Sequence, residues 1–329
     1  MRRVEHWIAG AETSGASMRT APVWDPATGH QQAEVVLGEP ADVDAAVQAG
    51  RKAFDEWREV SVVRRARVMF AFRDLVERHA AEIARAISSE HGKVFADAMG
   101  EVTRGLEVVE FACGIPHLSK GDYSDQVSTD VDSYSFRQPL GVVAGITPFN
   151  FPAMVPMWMH PLAIATGNTF VLKPSERDPS AANLIGSLYA EAGLPDGVYN
   201  VVHGDKVAVD AVLDHPDIAA VSFVGSTPVA RYVHGRASAT GKRVQALGGA
   251  KNHAVVLPDA DVDFAAEHLV AAGYGSAGQR CMAISAVVAV GDVGDRLVAR
   301  MRELTSKLRV GAGSDDAAEM GPLVGPDAR

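Results

Sequence analysis

Cysteine is scarce: Cys113 and Cys281 are the only two in 329 residues. Two thiols write no disulfide framework, so a reducing compartment, the cytoplasm, is the expectation. A cationic excess is also missing, because 31 Lys and Arg against 41 Asp and Glu leave a formal charge of -10. Phosphate backbones and anionic lipid repel such a surface, which speaks against nucleic acid and membrane as partners. No unbroken apolar run is long enough to cross a bilayer. The longest, Phe151 to Leu172, is cut by Pro152, Pro156, His160 and Pro161 and reads as buried core leading into a strand. The start, Met1-Arg2-Arg3, has a basic pair with no apolar segment behind it, unlike a secretory signal. There is no G-x-G-x-x-G. His160, His203, His234 and His253 fall at no metal-ligand spacing, so no metal is expected and these side chains are read as hydrogen-bonded or solvent-facing.

What is present is a globular chain, 47% hydrophobic and long enough for about two domains. Residues 42–114 read as helical, with Asp42 as N-cap and apolar stripes at Val43, Val47, Gly50, Phe54 and Trp57, then at Val68, Phe72, Leu75, Val76 and His79, then from Phe95 to Cys113. Gln126 to Arg137 alternates like a strand but is rich in Ser, Thr and Asp, which predicts an exposed β-arm. From Gly141 the texture changes. Gly141 to Ile146, Thr169 to Leu172, Val198 to Val202 and Ala219 to Val224 read as buried strands, with helices over Ser180 to Ala192 and Pro228 to Ala239. The alternation predicts an α/β fold with a doubly wound parallel sheet that binds ligand at the carboxyl ends of its strands. A further unit follows Gly248: strand Ala254 to Leu257, helix Val262 to Gly273, a Gly-rich turn holding Cys281, strand Ile284 to Val290 and helix Asp292 to Leu308.

Four segments carry chemistry. Gly278-Gln279-Arg280-Cys281-Met282 sets a thiol beside a guanidinium in a tight turn, and a nearby cation favours the nucleophilic thiolate. On position alone a small core residue is an equal reading; Cys113, on an apolar stripe, is read that way. Thr147-Pro148-Phe149-Asn150 ends the first buried strand, where the Asn150 amide can donate to an oxyanion or simply cap a turn. Lys173 and Glu176 follow the second strand. They suit the hydroxyls of an adenine ribose, a carboxylate there disfavours a 2′-phosphate, and a solvated surface pair is the alternative. Gly225-Ser226-Thr227 closes another strand and opens a helix, a weak signal for pyrophosphate.

These motifs, in this order and over essentially the whole chain, resemble the aldehyde dehydrogenase superfamily. The resemblance implies that Cys281 is the nucleophile and Asn150 the oxyanion donor, with Thr147, Phe149, Lys173, Glu176, Arg177, Gly225, Ser226 and Gly248 at an NAD site. It implies a dinucleotide-binding domain over residues 1–247, whose β-arm at about 122–139 serves a dimer or tetramer, and an incomplete catalytic domain over 248–329. Superfamily members are longer, so a C-terminally truncated chain, unstable or inactive alone, is expected.

In hydrolytic members a glutamate in a Glu-Leu-Gly-Gly-Lys pattern activates water. Here Leu247 stands at that distance before the cysteine, in Leu247-Gly248-Gly249-Ala250-Lys251-Asn252-His253. Leucine takes no proton, whereas a CoA thiol ionises far more readily than water. The segment resembles the CoA-acylating methylmalonate-semialdehyde dehydrogenase branch. That branch implies oxidation of methylmalonate or malonate semialdehyde to propionyl-CoA or acetyl-CoA with loss of CO2. It assigns the substrate carboxylate to Arg104 and Arg280, residues that grip such a group bidentately. Without the resemblance, Arg104 reads as part of a solvated helix face. A hydrolytic dehydrogenase with another base, and a non-catalytic nucleotide-binding module, are the alternatives.

Overall fold

The computed structural model describes residues 1–328. Seven strands form the main sheet: β1 (His6–Ile8), β2 (Ala11–Thr13), β3 (Val142–Ile146), β4 (Thr169–Lys173), β5 (Tyr199–Val201), β6 (Ile218–Val224) and β7 (Arg243–Leu247). Their spatial order is β7-β6-β3-β4-β5-β1-β2, parallel from β7 to β5, with the short β1-β2 pair added antiparallel. β3 and β4 are buried at every position, as strands covered on both faces must be.

Helices supply that cover. α1 (Pro40–Trp57), α2 (Val62–Arg78), α3 (Ala80–His91), α4 (Phe95–Cys113), α5 (Met154–Ala165), α6 (Ser180–Glu191), α7 (Lys206–Asp214) and α8 (Thr227–Ala239) flank the sheet. One core layer joins Phe72, Val102, Met157, Ile164, Phe170 and Tyr199, and another joins Val43, Val171, Val212, Phe223 and Val233. The chain runs from β3 outward through β4 and β5, then returns to lay β6 on the other side of β3. The doubly wound order therefore reverses between β3 and β6, and a crevice opens past their carboxyl ends.

After β7 a smaller layer follows: β8 (Asn252–Val256), α9 (Val262–Tyr274), β9 (Ile284–Ala289) and α10 (Val293–Lys307), with β8 and β9 parallel and a separate apolar cluster around Val256, Ala266, Leu269 and Leu297. The hairpin Tyr123–Ser128 and Val131–Tyr134 is exposed along its length, as the alternating polar segment predicts.

The structure departs from the sequence reading in several places. The apolar stretch after Phe151 is buried core leading into β4, as read, but it also holds a helix the reading does not assign, α5, with Pro161 inside it. Pro156 lies in the first turn, where its missing N–H costs nothing, and dense packing against α4 holds the rest: a Cβ on Gly105 would lie 2.3 Å from Met157 Cε. Asp42 is not the N-cap of α1. Glu39 holds that place, and the Asp42 carboxylate accepts the Glu39 N–H at 2.8 Å, the reciprocal arm of a capping box. The sheet of Arg2–Val4, Thr20–Asp25 and His30–Val36, the strands β1, β2 and β7, and α7 are elements that the sequence reading does not assign.

Candidate active site

The crevice between β3 and β6 is a cleft of about 420 Å³. Pro148, Phe149 and Asn150 line it from the end of β3; Val224, Gly225 and Ser226 from the end of β6; Gly248 to Ala250 from the end of β7; and Gly278 to Cys281 from the turn before β9. The topology thus brings together Cys281, Asn150, Phe149, Gly225, Ser226, Gly248 and Arg280, residues from four separate segments. Cys281 is exposed, whereas Cys113 is buried and its thiol is pushed up to about 11 by desolvation. Only the first is placed to meet an electrophile. Leu247 is 47% exposed at the end of β7.

Thr147, Lys173, Glu176 and Arg177 are not among the residues that line the cleft. The Thr147 amide donates to the Lys173 carbonyl at 3.1 Å, tying the ends of β3 and β4 together, and its buried hydroxyl has no partner. Lys173 is buried and donates from Nζ to Glu176 at 3.1 Å. Arg177 lies 5.2 Å over the Phe149 ring and donates to Asp327 at 3.2 Å. Ser226 precedes the first turn of α8 and makes no side-chain cap bond, so its hydroxyl is not spent on capping the helix. A Cβ on Gly248 would lie 3.0 Å from Thr227 Oγ1, which also accepts the Gly249 N–H at 3.0 Å, so glycine lets this loop close on the helix.

Arg280 is paired: its Nη2 lies 2.6 Å from Asp97 Oδ1. Arg104 is not among the residues lining the cleft, nor does it lie on a solvated face. Its Nε is buried without a partner, and Glu101, on the same side of α4, is fully buried. Among the described residues no group of acidic, His or Cys side chains is set to hold a metal ion. His160 bonds Tyr189 and His203 bonds Asn183 at 2.7 and 3.0 Å.

The sequence profile described as the aldehyde dehydrogenase family matches residues 13–329. The chain belongs to the aldehyde dehydrogenase family. Among the curated relatives, malonate-semialdehyde dehydrogenase 3 of Geobacillus kaustophilus is 53% identical over 323 residues, covering 98% of this chain and 67% of its own length. A crystal structure of methylmalonate-semialdehyde dehydrogenase from Oceanimonas doudoroffii superposes with a TM-score of 0.96 at 54% identity, covering 98% of this chain and 66% of that one. A candidate methylmalonate-semialdehyde dehydrogenase from Sinorhizobium meliloti 1021, complexed with NAD, gives a TM-score of 0.98 at 52% identity, with 99% and 67% covered. The chain spans about two thirds of the length of these relatives. It has the aldehyde dehydrogenase fold. No helix among the described residues is long and apolar enough to cross a membrane.

Three aldehyde dehydrogenase residues near the site carried no motif: Lys93, Asp97 and Glu101. Their signal is a polar spacing of four that starts just before α4, at Lys93, and continues along the side of the helix opposite Met99, Val102 and Leu106, a pattern that a solvated face also shows.

Proposed function

We propose that this chain carries the nucleotide site and the nucleophile of an NAD-dependent dehydrogenase that oxidises malonate or methylmalonate semialdehyde and transfers the acyl group to CoA. Residues 1–247 serve as the dinucleotide-binding domain and 248–329 as part of the catalytic domain. The exposed hairpin serves as an oligomerisation arm. The donor set fits NAD: a Lys–Glu pair past β4 for ribose hydroxyls, and the N-terminus of α8 with the Ser226 hydroxyl for pyrophosphate. NAD, when bound, supplies the acceptor for two electrons and one hydrogen from the substrate.

The chain's own residues do the rest. Cys281 sulfur adds to the aldehyde carbon, a C–S bond forms, and the carbonyl π pair moves to oxygen, where the Asn150 side-chain N–H donates. Departure of hydride from that carbon restores the C=O and leaves a thioester on Cys281. The C–C bond to the β-carboxylate breaks with loss of CO2, its electron pair passes into the thioester enolate, and a proton from water quenches the α-carbon; the thiolate sulfur of CoA displaces the Cys281 sulfur, which leaves as thiolate. Arg280, which lines the cleft, binds that carboxylate beforehand and must share its guanidinium between Asp97 and the substrate; Arg104, outside the lining, joins it only by moving toward the cleft.

One observation carries the CoA step: the lining of the Cys281 cleft contains no Asp, Glu or His among the described residues. Water needs a base to attack a thioester at neutral pH, whereas a thiol needs far less help. The assay is steady-state NADH formation by the full-length enzyme with and without CoA, with the acyl product identified. Acyl-CoA as product and a rate that collapses without CoA are expected; free carboxylic acid formed at an unchanged rate would falsify the acylating mechanism.

A further inference from the structure

The polar side of α4 is buried against the two loops that carry the reaction. Asp97 and Glu101 are four residues apart, so their side chains stand one above the other with a rise of about 6 Å. Glu101 faces the Asn150 loop. Its Oε1 accepts the backbone N–H groups of Ala153 at 2.8 Å and Met154 at 3.1 Å, the otherwise partnerless amides at the start of α5. Its Oε2 receives Lys93 Nζ at 2.7 Å, and the same ammonium donates to the Asn150 carbonyl at 2.8 Å. Lys93 and Glu101 are 1% and 0% exposed, so water competes for none of these bonds.

Asp97 faces the nucleophile's loop. Its Oδ2 accepts the Ser276 N–H at 3.0 Å and its Oδ1 pairs with Arg280. That loop needs holding. Ser276, Ala277 and Gly278 have φ of 54°, 53° and 74°, and the first two are not glycine, a conformation costing about 1–2 kcal/mol per residue. Gly275 has no side chain for a reason: a Cβ there would lie 2.6 Å from the Arg280 guanidinium.

We propose that one face of α4 sets the distance between oxyanion donor and nucleophile, with Glu101 and Lys93 positioning the Asn150 loop and Asp97 positioning the Cys281 loop. This rests on the roles given above to Asn150 and Cys281. None of the three touches the reacting atoms; each acts through backbone or through Arg280. Because both loops hang from one rigid helix, a shift of either changes the geometry of attack without removing any reacting group.

Two variants of the full-length enzyme separate the halves. Asp97→Ala removes the grip on the Cys281 loop. Lys93→Met with Glu101→Met removes the other grip and both buried charges together, leaving neither uncompensated. Hydrogen exchange is expected to rise about tenfold for the segment 275–281 in the first variant only, and for 150–154 in the second only. Turnover of propanal, which has no carboxylate for an arginine, should fall about 10- to 100-fold in kcat in both variants, with the NAD KM within about twofold of the parent. Exchange unchanged in the released loop, or kcat preserved in both variants, overturns the brace. If the parent oxidises no aldehyde, the assigned function fails, and the exchange data alone still decide whether α4 holds the two loops.

Discussion

Two sets of parallel strands in the chain are covered very differently. β3 and β4 are buried at every position, while β8 and β9 bury one face against α9 and α10 and leave the paired Val255 and Val288 63% and 46% exposed on the other. Both sets are apolar runs of the kind that normally sits between two layers. The large sheet is therefore held by its own packing, and the layer that bears Cys281 depends in part on contacts reaching it from outside, among them Asp97 to Ser276 and Arg280. Stability and chemistry sit in different places, so substitutions sort by which half they strike.

The largest expected effect is chemical and falls in the sparsely packed half. Cys281→Ala removes the proposed nucleophile and should lower NADH formation by about 10⁴-fold or more in the full-length enzyme, with little change in the unfolding midpoint because the side chain is exposed. Retained turnover would place the nucleophile elsewhere. Asn150→Ala comes next, at about 10²- to 10³-fold in kcat, the usual cost of one oxyanion donor; a change confined to KM would make Asn150 a binding residue only. In the well-packed half the order of effects reverses. Val171, fully buried at the centre of β4, should lose about 2 kcal/mol of unfolding free energy on truncation to Ala, read from the shift in urea midpoint.

Acid should also strike the well-packed half. Burial holds the imidazoles of His6 and His160 down to about 4 and about 3, and those of His91 and His203 well below their ordinary value. Below pH 6.5 the unfolded chain takes up protons that the native chain refuses, so stability falls as pH drops from 6.5 toward 3. Glu90 and Asp178 oppose this, since burial raises both carboxyls and the native state binds their protons first. A difference experiment isolates one histidine. His160→Asn should flatten the stability–pH slope between pH 6 and 4 by one proton, about 1.4 kcal/mol per pH unit; an unchanged slope would mean His160 is already charged in the fold.

What the sequence makes legible follows the same division. Strands buried on both sides announce themselves as apolar runs, and the motifs at their ends, Thr147 to Asn150 and Gly225 to Thr227, fall at the switch point because topology puts them there. α5 is hidden because a helix apolar on all sides has no stripe and its prolines read as breaks. The face of α4 is hidden for a different reason. A polar stripe at helical spacing is the same string of residues whether water or a pair of backbone amides answers it, so Asp97, Glu101 and Arg104 are indistinguishable from solvated charges until the loops are in place. Arg280 was legible as a cation beside the thiol, but its partner Asp97 lies far off in sequence, and no local pattern joins them.

The smallest expected effect tests the comparison itself. Val288→Thr replaces an exposed methyl of β9 with a hydroxyl, keeps the β-branched shape, and touches none of the groups that hold the Cys281 loop. If β9 is uncovered in solution, as Val288 at 46% exposure indicates, the change should cost less than about 0.5 kcal/mol and should reduce binding of a hydrophobic dye to the 329-residue chain. A loss as large as that of Val171→Ala would mean that this face is packed against something in the working molecule. The same substitution repeated at the relatives' full length then tells whether the cover comes from the same polypeptide or from a second copy, because only the latter makes the loss depend on protein concentration.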